Sequence, residues 1–486
     1  MLGAPAARIP APRALGGALW ALAIVGLGVA IALPEPFELL LGAAGVLAVV
    51  ATVAQPLVGV PLLLLAVPFG GLARGSSGDS TTDLSFGGAE VLVALLGAAW
   101  LARGVRHHTI SLRAGAVVVA IVGMASLALL SIGYAGDKSL AIKESLKWLE
   151  LLLALLVVAD LAGTVSAARW VMAALFVAGA AEAASGAVQV ATGAGPDFFE
   201  VGGALRAFGH FDQPNPFAGY LTTILPLAVC MALCRANPRL YRWFAAGAAG
   251  LLVVGIGLSQ SRGAWLGGLV AAVCLLLLWS RWTRRLLVPG VLLGALGTAM
   301  AMTGLLPASI TDRLSQTVAY FGVFDVRTVE VSSDNWAIVE RMAHWQAGWL
   351  MFLDHPWLGV GAGNYPDAYP TYAIGQWLEP LGHAHNYYLN MLAELGVVGG
   401  GLLVLLLGLA FRELVGRLIQ SEQAAAGFWR AVLAGCVGGL IVFCVHNLFD
   451  SLFVHSVNIQ VGVLLGLGLV AGDRLRTAAR PVAGCA

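Results

Sequence analysis

The chain has 486 residues, of which 59% are hydrophobic and only 11% charged, and its formal net charge is +1. A soluble domain carries about 25% charged residues, so a water-facing surface cannot be covered here and a soluble multidomain enzyme is excluded. The near-neutral balance also supplies no global field for nucleic acid, so no nucleic-acid partner is expected.

Apolar runs near twenty residues recur along the chain and predict membrane-spanning helices, whereas a membrane β-barrel would alternate over segments of about ten. Arg8 and Arg13 precede an apolar run over 14–33, which is too long for a signal-peptide core and is expected to be the first membrane helix. Further spans are predicted at 37–54, 56–71, 87–102, 114–134, 143–162, 168–190, 216–235, 241–259, 262–280, 285–304, 386–411, 428–448 and 456–472. Pro56 and Pro61 interrupt the pair at 37–54 and 56–71, which is expected to be a tight or partly re-entrant hairpin. The fold class expected is an all-α polytopic membrane protein with about 12–14 transmembrane helices, forming one integral domain over 1–486.

With the N-terminus inside, alternate connections collect 18 of the 27 basic residues, from Arg8 through Arg103, Arg235, Arg281 and Arg412 to Arg474, and most acidic residues fall opposite. The positive-inside rule then predicts cytoplasmic termini and an outward placement of the long stretch 305–385. Trp345, Trp349 and Phe352 at helical spacing, with the turn-forming Gly359-Val-Gly-Ala-Gly363, predict a large folded extracytoplasmic loop with short helices inside it. The Gly/Ser/Thr stretch 75–82 is expected to be a smaller, flexible outer loop. The six cysteines show no metal-ligand spacing, and no disulfide framework is expected.

Three places on the outward side carry reactive side chains. Ser259-Gln-Ser-Arg-Gly263 sets Arg262 between two apolar runs. An Arg at a helix end is usually a snorkelling anchor, yet the anchoring arginines of this chain gather on the other side. Glu340-Arg-Met-Ala-His-Trp345 opens an amphipathic helix. Arg341 either pairs with Glu340 or Asp354 on a wet face or clamps an anion, since guanidinium grips phosphate oxygens bidentately. His383-Ala-His-Asn386 stands just before a span. Its i, i+2 spacing does not share a helix face, and no matching third and fourth ligands are evident, so no metal is expected. An interfacial His does suit general base work on a sugar hydroxyl.

Two arginines and a histidine together suit a diphosphate leaving group and an acceptor hydroxyl. No carboxylate pair for glycoside hydrolysis and no nucleotide phosphate loop is evident. Lys143, Glu144, Lys147 and Glu150 fall on one predicted span. They either form structural ion pairs or line a groove for a lipid diphosphate. Glu182, isolated in an apolar run, is expected to be satisfied by a neighbouring helix.

The segment from Arg341 through Trp345, Asp354-His-Pro-Trp-Leu-Gly-Val-Gly-Ala-Gly363, His383-Ala-His-Asn386 and Glu394-Leu-Gly396 resembles the signature loop of the O-antigen ligase and polymerase family. Phe208-Gly-His-Phe-Asp-Gln-Pro-Asn-Pro-Phe217 and Ser261-Arg-Gly263 extend the resemblance over roughly 140–460. It implies an inverting, metal-independent glycosyltransferase without cofactor, in the inner (plasma) membrane with its active site outside. The donor implied is an undecaprenyl-diphosphate-linked glycan, and the acceptor a glycan or glycolipid. By position it implies Arg262 and Arg341 as diphosphate-binding residues and His385, followed by Asn386, as general base, with His383 in support. Asn215 and Asp450 occupy recurrent polar positions of that family. No additional C-terminal region of the kind carried by protein-glycosylating relatives is seen, which lowers that reading. Ligase and polymerase are not separated, because both cleave the same sugar–diphosphate bond. A transporter would show a repeated half and charges at midplane; the polar residues instead collect at one interface.

Overall fold

Asp137 accepts hydrogen bonds from Ser139 N (2.7 Å) and Leu140 N (3.2 Å), Thr164 from Ala167 N (3.1 Å), and Asn386 from Tyr388 N and Leu389 N (both 3.1 Å). Each thereby occupies amide groups that the first turn of a helix leaves unpaired. In the computed structural model these caps open three of fifteen helices among the described residues, which are 36–69, 87–108, 115–201, 203–303, 305, 322–332, 335–421 and 427–479. The expected first span at 14–33, the loop at 75–82 and residues 306–321 lie outside them.

The helices are α1 (Pro36–Ala54), α2 (Pro56–Phe69), α3 (Gly88–His107), α4 (Ala116–Ser131), α5 (Lys138–Leu161), α6 (Val165–Thr192), α7 (Pro214–Leu233) and α8 (Arg239–Ser259). They continue with α9 (Arg262–Trp279), α10 (Leu287–Met302), α11 (Trp336–Asp354), α12 (Tyr365–Tyr372), α13 (Tyr387–Gln420), α14 (Phe428–His446) and α15 (Val457–Ala479). Every predicted span after the first coincides with one of them. Eight are long and apolar enough to cross a membrane, and the sheet among the described residues is one hairpin of two-residue strands, Glu200–Val201 with Ala204–Leu205. The chain is an all-α polytopic membrane protein.

The most enclosed helices are α7, α14 and α15. Glycines permit their close approach. A Cβ at Gly435 would stand 2.6 Å from the Leu227 backbone, and one at Gly439 2.6 Å from Thr223 O, so α14 lies directly on α7. Gly462 and Gly466, also four apart, meet the carbonyls of Leu151 and Leu155, bringing α15 onto α5. Lipid gives helices no hydrophobic reason to associate, so van der Waals fit between small residues holds such pairs.

The apolar run 386–411 was expected to be one uninterrupted span, but α13 is broken at Gly396 (φ 61°, ψ −161°), a conformation nearly closed to other residues. The break frees backbone groups, and the segment after α11 takes them up. Val360 N and Gly361 N donate to Ala393 O (3.0 Å) and Glu394 O (2.9 Å), while Val397 N donates to Pro356 O (2.8 Å). A Cβ on Gly359 would strike the Glu394 backbone, and one on Gly396 the Trp357 backbone. The two glycines of the Gly359–Gly363 and Glu394–Gly396 motifs therefore serve one seam.

Candidate active site

The seam fixes α11, α12 and the start of α13 as one body. The Glu394 carboxylate accepts from Gly363 N (2.7 Å) and Tyr365 N (3.3 Å) and so caps α12 from within α13. Asn364 ties the same segment to the turn before α5, accepting from Asp137 N at 2.7 Å. The segment 383–386 lies over this frame, its last residue capping α13.

His385 has φ 50°, a left-handed conformation that costs a side-chain-bearing residue about 1–3 kcal/mol, and it is buried. Trp345 Nε1 donates to its carbonyl at 3.2 Å. The imidazole Nδ1 lies 3.3 Å from Asp450 Oδ1. A carboxylate only accepts, so Nδ1 carries the proton and Nε2 keeps the lone pair. Asp450 stands just beyond α14. It also accepts from Ser451 N (2.9 Å) and, at Oδ2, from Asn215 Nδ2 (2.7 Å). Asn215 in turn accepts from Arg206 Nη2 at 3.0 Å, while Arg206 Nε donates to Ser259 O at 2.8 Å. Burial works to raise the Asp450 carboxyl. The hydrogen bond from His385, with the neighbouring imidazoles and the Arg341 guanidinium, outweighs it and holds the group well below the ordinary carboxylate range.

His383 is oriented by its neighbour: its Nδ1 accepts from His385 N at 3.1 Å, and its Nε2 faces Asp450 at 3.8 Å. Burial first, and then the neighbouring His385, push it down to about 3. Asp450 supplies the third potential ligating group that the sequence reading did not find, since His383, His385 and Asp450 bring one such atom each within 4.8 Å of one another. Hydrogen bonds already close this cluster. His383 Nδ1 accepts from a backbone amide, and both nitrogens that face Asp450 are placed to donate to it.

Arg341, on α11, pairs with neither Glu340 nor Asp354. It is half-buried, and its Nε is enclosed without a hydrogen-bond partner. Its charge reaches both Asp450 and the His446 ring at the end of α14. Arg262 opens α9, and a Cβ on the adjacent Gly263 would lie 3.5 Å from His446. Arg262, Arg341, His383, His385, Asn215 and Asp450 therefore gather at one end of the bundle around α14. Asn386 serves as the α13 cap.

Lys147 is committed to an ion pair with Glu144 (2.6 Å) and to Phe453 O (3.1 Å), and Glu150 accepts from Asn458 at 2.8 Å. Lys143 is half-buried on the same helix. Glu182 finds its partner in a loop, contrary to the expected neighbouring helix. It accepts from His210 N (2.6 Å) and lies 2.8 Å from His210 Nδ1, which raises the His210 pKa through that hydrogen bond against burial.

Sequence reading missed Arg206, His344 and His446. His344 lies three positions after Arg341 and shares its face. It stacks on Tyr369 at 4.6 Å and contacts the His385 ring edge-on at 5.6 Å, and burial pushes it down to about 3. Arg206 stands two residues before the Phe208–Phe217 motif, near enough to have been included.

Residues 247–404, which hold Arg262, Arg341, His383 and His385, match the O-antigen ligase family. Over 204 residues the chain is 31% identical to a general O-oligosaccharyltransferase of Acinetobacter baylyi. That similarity covers 41% of this chain and 34% of the relative, so about a third of the relative's length is spanned. The similarity to the O-antigen ligase family is thus carried by residues 247–404, the segment that holds both arginines and both histidines.

Proposed function

We propose that this chain transfers a glycan from an undecaprenyl-diphosphate-linked donor to an acceptor hydroxyl at the extracytoplasmic face of the inner membrane. The observation that carries the reading is the buried His385–Asp450 pair set beside the Arg341 guanidinium. Asp450 holds Nδ1–H, so Nε2 of His385 takes the acceptor's proton as its oxygen attacks the anomeric carbon. The bond from that carbon to the diphosphate breaks, and its electron pair leaves on the diphosphate. Arg341 and Arg262 stabilise the charge that develops there. Diphosphate leaves without protonation, so one base suffices. Attack and departure on opposite faces invert the anomeric centre, and His385 then returns its proton to water.

The acceptor is a glycan or glycolipid hydroxyl, and the reaction needs no metal. The name of the Acinetobacter relative, a general O-oligosaccharyltransferase, fits an oligosaccharide as the group transferred. The test uses purified protein, a lipid-diphosphate glycan and an acceptor, with and without EDTA. His385→Ala should lose about 10²- to 10⁴-fold in rate, and His383→Ala less. Arg262→Ala and Arg341→Ala should abolish transfer while the protein stays inserted, and Lys at either position should restore part of it, because it keeps charge but loses the planar fork. Full activity of His385→Ala, or loss on chelation restored by a divalent cation, overturns the mechanism. In a deletion strain, finished polymer accumulating on the lipid identifies a ligase and single repeat units a polymerase.

A further inference from the structure

Trp336, Glu340 and His344 recur every fourth residue of α11, which sets them on one face about 6 Å apart along the axis. The stripe ends at the candidate base, because the His344 ring meets that of His385 edge-on at 5.6 Å. Its other end is held firmly. Asn335 accepts from Ser332 N (2.8 Å) and donates to Glu330 O (2.9 Å), which fixes the start of the helix. The buried Trp377 backs Trp336, with ring centroids 4.5 Å apart. Tyr369 ties the two ends together, since its ring stacks on His344 at 4.6 Å and its hydroxyl donates to Trp377 O at 2.8 Å. Trp336 itself stays 47% exposed. Glu340 is half-buried between the two ends. Burial raises its carboxyl above the ordinary value, against neighbouring His385, Arg341 and the Trp336 indole.

The transfer chemistry leaves this stripe unused. We propose that it is the subsite for the acceptor glycan: a neutral sugar lies on the Trp336 indole and donates hydroxyl protons to Glu340, while the attacking hydroxyl reaches His385. This rests on the transferase reading above. Sugar C–H groups, polarised by adjacent oxygens, suit the negative face of an indole, and an ionised carboxylate offers acceptors to the hydroxyls around it. Eight residues of helix cover about 12 Å, which gives room for a short oligosaccharide rather than a single ring. The carboxylate assigns the stripe to the acceptor, because an anion in the seat of the diphosphate would oppose its binding. It also sets the sugar class, since a uronic acid or a phosphorylated sugar would bring like charge against Glu340. Exposed tryptophans also anchor proteins at membrane interfaces, but an anchor gains nothing from a carboxylate at its flank. Trp349, 48% exposed and 13 positions further along α11, faces the other way and lacks this company.

The experiment titrates purified full-length protein with a neutral hexose oligosaccharide, without donor, and reads binding by saturation-transfer NMR. Trp336→Ala should raise the Kd about tenfold, and Trp336→Phe, which restores an aromatic face, should recover most of the loss. Trp349→Ala should bind as the unaltered protein does. The unaltered protein should bind the same oligosaccharide ending in a uronic acid about tenfold more weakly, and Glu340→Gln should remove that discrimination. In the transfer assay, Trp336→Ala should raise the acceptor KM while kcat and the donor KM stay within about twofold. Unchanged binding by Trp336→Ala, an equal loss in Trp349→Ala, or discrimination that survives Glu340→Gln would each overturn the assignment, and the last needs no tryptophan variant to fold. Binding is read without turnover. Protein that binds the sugar through Trp336 and transfers nothing therefore removes the transferase reading and leaves the subsite, while active protein indifferent to Trp336→Ala does the reverse.

Discussion

In the proposed mechanism Asp450 bears on His385 in two ways, by choosing the tautomer and by stabilising the imidazolium that forms when the base takes a proton. Asp450→Asn keeps shape and volume but can offer Nδ1 an N–H, which would turn the lone pair away from the acceptor. The expected outcome is a fall in kcat of about 10²- to 10⁴-fold with the donor KM within about twofold; steady-state kinetics in which only KM moved would assign Asp450 to binding. Arg262, His383 and His385 could be singled out because they stand in short motifs at span boundaries, and Arg341 because it opens a motif in the long stretch between two spans. The Arg206–Asn215–Asp450 chain could not. Its last two members are 235 positions apart, and no periodicity joins a loop, a helix start and a turn. Lys147 illustrates the opposite case, in which the ion pair with Glu144 could be read from helical spacing alone.

Among elements, the loop before α7 is held by a charge. Glu182 and Gln189 on α6 clamp residues 208–210, Gln189 through Gly209 N and O at 2.8 Å each, and Arg206 at the head of the loop reaches the candidate site. The His210 pKa is raised in the folded state. Its pair with Glu182 therefore stabilises fully below the unfolded value of about 6.5, and the stabilisation is lost as pH rises through the raised folded value. Thermal unfolding in detergent should show Tm falling across that interval, and His210→Gln should flatten the slope; an unchanged slope would detach the loop from this pair. Helix positions were legible because apolar runs of the required length have few other solutions in lipid. The break in α13 was not. Gly396 lies within a continuous apolar run, and the segment that compensates it is distant in sequence.

For the molecule as a whole, the asymmetry of arginines predicts that α12 faces outward. A cysteine at the exposed position Asp367, in a background without native thiols, should react with an impermeant maleimide in intact cells. Reaction only after the inner face is opened would invert the topology and place the candidate site on the cytoplasmic side. The resemblance to the O-antigen ligase family could be read from the sequence because its motifs stand in fixed order around Arg341 and His385.

The pairing of His385 with Asp450 also sets a timetable for manufacture. His385 is translated 65 residues ahead of Asp450, an interval of about 3 to 13 s at common rates of synthesis. For that time the nascent chain carries the His385 imidazole and the Arg341 guanidinium without the Asp450 carboxylate. The pair forms only when α14 has been inserted and the turn behind it emerges, so a chain abandoned before that point lacks the carboxylate that holds His385 Nδ1–H.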